Sequence, residues 1–375
     1  MRDKPLDDLP TVLVTHPAPR LAMYLGDRAL QQLQQVARVR LNMLETDLQG
    51  KALVEAAQGC DVILAYRQTP VSAEVFKALP QLRAVVRCAM DIRTIDVAAA
   101  SASGVLVTQA SPGFMASVSE WVVGVMIDLS RSISQANAQY KNDDAVQPRM
   151  GRELRGARLG VIGYGHIGRY LCPLAGALGM QVVVADPFAR VDQIGITQVA
   201  LDELLASADY VVCLAPANSE TENLMDARAF AAMKRGAYFI NASRGCLVDE
   251  SALMAALDSG HLAGAAIDVG RVPDQMPSPA VARHPHVLTT PHIGGLTPPA
   301  IEHQALEAVG QTAVILQGRI PAGAVNAAHA TRILQGVRAW IHPLSPAIAM
   351  SMCMTRLTRW RLRPRSHRLL RRCNR

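Results

Sequence analysis

The stretch from Leu159 to Pro187, LGVIGYGHIGRYLCPLAGALGMQVVVADP, constrains this chain more than any other. Leu159 to Ile162 is an apolar run of strand length, and Gly163, Gly165 and Gly168 follow it as G-x-G-x-x-G. A helical stretch then runs to Gly179, and a second strand, Gln181 to Ala185, ends on Asp186. Gly163 permits the tight turn, Gly165 lets backbone approach a pyrophosphate, and Gly168 lets helix and strand pack closely. The helix N-terminus presents free N–H groups and a positive dipole end to phosphate. Asp186 lies 18 residues past Gly168, where a carboxylate can bind both hydroxyls of an adenosine ribose and repel a 2′-phosphate. The expected cofactor is therefore NAD rather than NADP. The order strand–turn–helix–strand–Asp disfavours the alternative, a glycine turn in an unrelated α/β domain. Pro173 lies inside the helical stretch and is expected to kink or break it.

The length of 375 residues suggests two or three domains. Seven scattered cysteines without a CxxC pair argue for reduced thiols in a cytoplasm and against a zinc site or disulfide framework. The N-terminal MRDKPLDDLP has no apolar signal-peptide core, and no uninterrupted apolar run reaches membrane-spanning length. The net charge of +7 is misleading. Residues 330–375 hold eleven arginines and no Asp, Glu or Lys; taking those away from the 38 basic residues leaves 27 against 31 acidic ones. The body is thus mildly acidic. The basic segment reads as a disordered tail, as a nucleic-acid or acidic-lipid binder, or as the non-native, out-of-frame end of an arginine-rich reading frame. Nucleic acid is expected as a partner only through this tail, and no membrane partner is expected.

Residues 11–108 alternate short apolar strands (11–15, 62–65, 84–87 and 105–107) with amphipathic helical stretches. That alternation indicates a parallel sheet covered by helices. A turn at Ser111-Pro112-Gly113 precedes an apolar stretch from Ala116 to about Ile133, read as a buried helix joining two domains. Lys141 to Gly156 reads as a loop. From residue 157 to 296 the αβ alternation resumes, and Thr297-Pro298 starts a helix that Gly318 stops.

Two charged groups follow strands in the second unit. Arg244, in Asn241-Ala242-Ser243-Arg244-Gly245, can clamp a carboxylate and polarise a neighbouring carbonyl. His292, in TPHIGG, suits proton exchange with an alcohol or ketone oxygen. Asp268 ends a strand and could face a nicotinamide; Asp274 is the nearest acid to pair with His292. Taken singly, each is more often an ion-pair or turn residue, but their joint placement behind a dinucleotide fingerprint points to catalysis. His284, His286 and His292 have no acid or Cys between them, so no metal is expected.

With these residues in view, the chain resembles the D-isomer-specific 2-hydroxyacid dehydrogenases, near their phosphoglycerate dehydrogenase branch. The resemblance rests on GYGHIG with Asp186, NASRGCLVDESAL, GAAID and TPHIGG, and more weakly on LPQLRAVVRCAMDIRTIDVAAA and SVSEW. It covers about residues 11–328. It implies an α/β fold of two doubly wound parallel-sheet domains. One is a flavodoxin-like substrate domain formed by residues 1–115 and 297–328. The other is a Rossmann NAD-binding domain over 116–296, with residues 329–375 left as the tail.

The resemblance also implies roles. His166 and Ile167 would contact the pyrophosphate, and Ala215 and Pro216 would flank the cofactor. Ala242, Ser243, Arg244 and Asp268, with His292, Gly294 and Gly295, would frame the nicotinamide. Arg244 would hold substrate, His292 would be the acid/base, and a homodimer is implied. Two positions depart from the family pattern. Pro273 stands where the family places a Glu, with Asp274 beside it as a substitute. The substrate loop reads Ala89-Met90-Asp91 in place of a glycine-rich one, near Arg67. An aspartate there is unfavourable beside an anionic substrate unless Arg93 or Arg67 pairs with it, and leaves room for an acid with a neutral or cationic tail. The alternative from a different class is an NAD(H)-sensing binding protein, like the C-terminal-binding-protein corepressors.

Overall fold

The computed structural model describes residues 9–142 and 146–333. Within them, two parallel sheets are covered by helices, as the alternating pattern required. The first sheet comprises β1 (Thr11–Val14), β2 (Arg38–Leu41), β3 (Val62–Ala65), β4 (Ala84–Arg87) and β5 (Leu106–Gln109), in the order β2-β1-β3-β4-β5. The second comprises β6 (Arg158–Ile162), β7 (Gln181–Ala185), β8 (Ile196–Gln198), β9 (Tyr210–Cys213), β10 (Tyr238–Asn241), β11 (Gly264–Ile267) and β12 (Val287–Thr289). Its order is β12-β11-β10-β9-β6-β7-β8. These are the flavodoxin-like and Rossmann orders, reversing direction beside β1 and β6 respectively. A ligand crevice is expected outside the strand carboxyl ends at such a point.

The central strands read as continuous apolar runs because helices cover both faces. β3 and β4 are buried along their whole length. Two edge strands escaped sequence reading for the converse reason. β2, RVRL, alternates exposed and half-buried positions, and β8, ITQ, is largely exposed.

The helix Met115–Arg131 leaves the first sheet and buries Val118, Val122, Val125 and Met126 in the same core as Leu159, Val161 and Leu171. It ends at Ser132, whose φ is +54°. A second helix, Ile133–Lys141, follows it and ends on the first residue of the segment expected to be a loop, Lys141 to Gly156. The break expected at Pro173 does not occur: the helix is continuous from His166 to Ala177. Pro173 lies on its exposed side, while Leu171, Cys172 and Ala175 are buried. The carbonyl left without a donor therefore faces water, and the packed face keeps its contacts.

The helix Pro298–Leu316 returns to the first sheet, where Ala305, Ala308, Val309 and Ile315 join the core around Val12, Val14 and Val62. Gln311 fastens it, accepting from Thr108 Oγ1 at 2.6 Å and donating to the Gln109 carbonyl at 2.9 Å. The chain stays on this sheet beyond residue 328, where the sequence reading ended the folded part. Ala330 and Ile333 are buried in the same core. The Arg332 guanidinium donates to the Leu79 and Leu82 carbonyls at 2.9 and 3.1 Å. Residues 334–375, on which the rest of the expected basic tail falls, lie outside the described residues. No helix among the described residues is long and apolar enough to cross a membrane.

Candidate active site

The carboxyl ends of both sheets face one cleft of about 1180 Å³. On its second-sheet wall, Gly163 follows β6 with φ +98°, and a Cβ there would stand 2.8 Å from the Ala215 nitrogen. The turn after β6 and the segment after β9 thus touch at the topological reversal. Gly165 caps the helix His166–Ala177 without a side-chain hydrogen bond, and open space lies where its Cβ would be. At Gly168 a Cβ would lie 2.5 Å from the Gly163 carbonyl oxygen, so only glycine lets the helix start sit on the turn. The first N–H groups of that helix are left for a ligand.

Asp186 accepts from the backbone N–H groups of Tyr164 (2.7 Å), Phe188 (2.8 Å) and Ala189 (2.8 Å). Burial alone would raise its carboxyl. These bonds and the nearby Arg169 charge outweigh it and hold the carboxyl below the usual range. The bare helix N-terminus, the open face at Gly165 and an ionised Asp186 at the end of β7 fit the pyrophosphate and ribose of NAD.

Asp268 is buried at the base of the His292 loop. It accepts from Thr290 Oγ1 (2.5 Å), Ile293 N–H (2.8 Å) and Gly294 N–H (2.8 Å). The His292 N–H donates to the Asp268 and Thr290 carbonyls at 3.0 and 2.9 Å. This holds His292 at φ +54°, an unusual value for a residue with a side chain. Asp268 therefore lines the cleft and also fixes the loop that presents His292. Gly294 lies behind it rather than on the cleft wall.

Arg244 follows β10. Asn241 shapes the turn, donating to the Arg244 carbonyl at 3.0 Å and accepting from Ser243 N–H at 3.1 Å. The Arg244 guanidinium donates to the Ser243 carbonyl at 2.7 Å and reaches Asp91 Oδ2 at 3.4 Å. Burial pushes this guanidinium down from its ordinary value, with the Asp91 charge opposing.

Asp91 has the partner the sequence demanded. Arg93 Nη2 donates to Oδ2 at 2.7 Å and Arg93 Nε to Oδ1 at 3.0 Å. Burial would raise the Asp91 carboxyl, but the bonds and charge of Arg93 and the charge of Arg244 hold it well below the carboxylate range. Gly163, Gly165, His166, Ile167, Gly168, Asp186, Ala215, Pro216, Ala242, Ser243, Arg244, Asp268, His292 and Gly295 thus share one cleft with Arg67, Ala89, Met90 and Asp91. Asp274 is in the short 3-10 helix Pro273–Gln275, and its side chain lies outside the described residues.

Sequence reasoning found Arg67 and Ala89 to Asp91 on the first-sheet wall but missed its aromatic part. His16 follows β1 and Tyr66 follows β3, the same strand-end placement that singled out Arg244. The His16 ring packs against Tyr66 at 5.1 Å between centroids, Tyr66 against Tyr24 at 5.3 Å, and the Arg67 guanidinium lies 5.2 Å from the Tyr24 ring. His16 is buried and held at about 3, first by burial and then by the Arg87 charge, with only the Tyr24 main chain favouring the proton. Unfolded, the same ring takes a proton below about 6.5. Stability is therefore expected to fall as pH drops through 6.5 towards 3, by about 1.4 kcal/mol per pH unit. Urea unfolding at pH 7.5 and 5.0 should differ by about 2 kcal/mol from this group. His16→Asn should shrink that difference; an unchanged difference would show that His16 does not titrate this way.

Comparison with known proteins follows the same lines. Residues 123–294 match the family model of the D-isomer specific 2-hydroxyacid dehydrogenase, NAD binding domain. A D-3-phosphoglycerate dehydrogenase of Synechocystis is 31% identical over 338 residues, covering 86% of this chain and 60% of that protein. One from Mycobacterium bovis is 35% identical over 278 residues, covering 73% and 52%. The chain thus spans about half to three-fifths of the length of these relatives. Among solved structures, the TT0316 protein of Thermus thermophilus aligns with a TM-score of 0.76 at 28% identity, covering 84% of this chain and 99% of that one. The pyruvate reductase of Chlamydomonas reinhardtii aligns with a TM-score of 0.74 at 25% identity, covering 84% and 98%. None of these relatives favours the binding-protein alternative.

Proposed function

We propose, because this chain belongs to the D-isomer specific 2-hydroxyacid dehydrogenase family, that it is an NAD-dependent oxidoreductase interconverting a D-2-hydroxy acid and its 2-keto acid. The observation that carries the proposal is the single cleft in which the dinucleotide turn, Arg244 and His292 meet at strand ends. When bound, NAD supplies the hydride acceptor and NADH the donor. The turn Gly163–Gly168 holds the pyrophosphate, with Ala215 and Pro216 on one side, and Asp186 holds the ribose.

Arg244 binds the substrate carboxylate and polarises the C2 oxygen. In oxidation, neutral His292 takes the hydroxyl proton as C2 loses its hydride. In reduction, protonated His292 returns that proton to the carbonyl oxygen. Asp274 is the acid we assign to His292. Its carboxylate would favour the imidazolium, so Asp274→Asn should move the acid–base limb of reductive kcat/KM to lower pH. An unmoved limb would remove Asp274 from the mechanism. The test of the function itself is NADH oxidation by the full chain against a panel of 2-keto acids. Turnover supports the dehydrogenase; NADH binding without turnover of any acid contradicts it.

Asp186 sets the cofactor in this account. Asp186→Asn keeps one side-chain oxygen to accept from the Phe188 and Ala189 N–H groups, but loses the acceptor for the Tyr164 N–H and the charge that repels a 2′-phosphate. The ratio of kcat/KM for NADH over NADPH should fall about tenfold, the weight of roughly 1.4 kcal/mol. A parental preference for NADPH would overturn the assignment. We also read the protein as a homodimer. The helix Ile133–Lys141 buries none of its residues and exposes Ile133 and Tyr140, beside exposed Ile127 and Met150. Light scattering should give twice the chain mass; a monomer would refute this.

A further inference from the structure

We propose that the substrate is a singly charged 2-keto acid with a short, uncharged, hydrogen-bonding side chain such as a hydroxymethyl group, and that His16 selects for it. This rests on the dehydrogenase reading and deepens it. The first argument is charge. The wall contributed by the first sheet, together with Arg244, places three guanidinium groups (Arg67, Arg93, Arg244) against two carboxylates (Asp47, Asp91). Among these lining groups one unit of positive charge remains, enough for one carboxylate, while Arg87 is buried behind them and donates to the Tyr66 and Thr69 carbonyls. Arg93 is committed to a forked pair with Asp91, so it is not offered to a second anion. A phosphate on the side chain would add further negative charge beside Asp91. Like charges brought together in a partly desolvated cleft repel more strongly than in bulk water.

The second argument is the wall itself. His16 is 1% exposed and lines the cleft among Tyr24, Tyr66 and Cys88. Among the described residues, neither ring nitrogen has a hydrogen-bond partner of good geometry. A buried polar atom left this way carries an uncompensated desolvation penalty, which a ligand hydroxyl relieves by pairing with it. The ring is neutral above about pH 3, so it offers a donor and an acceptor and no charge for phosphate. A hydroxyl matches both roles, whereas a methyl group leaves the nitrogen unpaired.

The test is steady-state kinetics of the full chain with NADH and hydroxypyruvate, pyruvate, 3-phosphohydroxypyruvate, glyoxylate and phenylpyruvate. Hydroxypyruvate should lead in kcat/KM, by about tenfold or more over pyruvate and over the phosphorylated acid, the equivalent of one buried hydrogen bond. His16→Leu should collapse the ratio of kcat/KM for hydroxypyruvate over pyruvate towards one, with His16→Asn restoring part of that ratio. Asp91→Asn should raise 3-phosphohydroxypyruvate relative to hydroxypyruvate. Equal or better turnover of 3-phosphohydroxypyruvate by the parent protein would overturn the charge argument. Equal turnover of pyruvate would overturn the role of His16, whether or not the variants fold. Turnover of glyoxylate or phenylpyruvate in preference to hydroxypyruvate would overturn the proposal while keeping the dehydrogenase. Failure on all five acids would overturn both.

Discussion

Replacing His292 by asparagine should lower kcat about 10²–10⁴-fold, the usual worth of a positioned general acid–base, while NADH affinity stays at the parental level. Asparagine is the informative substitute because His292 has φ +54°. Asparagine tolerates that left-handed conformation far better than alanine or a branched residue. The backbone N–H bonds to the Asp268 and Thr290 carbonyls are independent of the side chain, so the loop should keep its shape. What disappears is the group that exchanges a proton with the C2 oxygen. Turnover is measured beside an NADH fluorescence titration. A loss of turnover with intact binding fits the account. A kcat within a few-fold of the parent would move the acid–base role elsewhere, and a parallel loss of NADH binding would mean that His292 is structural.

Replacing Arg244 by leucine should lower kcat/KM about 10²–10³-fold, the equivalent of losing two charge-assisted hydrogen bonds to a carboxylate and carbonyl. The surroundings deepen the effect. Arg93 keeps Asp91 ionised through bonds that do not involve Arg244. Without Arg244, the substrate carboxylate would therefore meet Asp91 with one fewer intervening guanidinium. Arg244→Leu combined with Asp91→Asn should recover part of the loss, because the two groups are in contact and their effects need not add. Arg244→Lys should stay impaired, since an ammonium cannot make the planar forked contact. Kinetics of the three variants with one 2-keto acid decide this. Parental kcat/KM in Arg244→Leu would show that the carboxylate binds elsewhere.

How far the sequence carried the account depends on whether the relevant signal is local. The turn Gly163–Gly168 and Asp186 lie within one βαβ unit, so spacing alone places them. The central strands are buried on both faces and read as apolar runs. β2 and β8 lie at sheet edges, where half-exposed polar residues erase that pattern. Pro173 was misjudged because sequence reports the missing N–H but not that it falls on a solvent face.

In the site, the conflict at Asp91 was legible, and so was Arg93, two residues away. The contact with Arg244 spans 153 positions and depends on how the two sheets face one cleft. His16 stood at a strand end in plain view. Nothing nearby in sequence shows that Tyr24 and Tyr66 close over it, or that its nitrogens lack well-aligned partners among the described residues. The first arginine of the basic segment, Arg332, belongs to the fold because the Leu79 and Leu82 carbonyls lie beside it in space. Composition had assigned it to the tail.

The central claim is that this one cleft joins a nicotinamide to the C2 carbon of a 2-keto acid. Single-turnover reaction with NADH deuterated at C4 tests it most directly, with the product analysed by mass spectrometry and chiral chromatography. With both C4 positions of NADH deuterated, the account predicts one deuterium at C2 of a product in the D configuration. A bound but unreacted NADH, a product without deuterium, or an L product would contradict it.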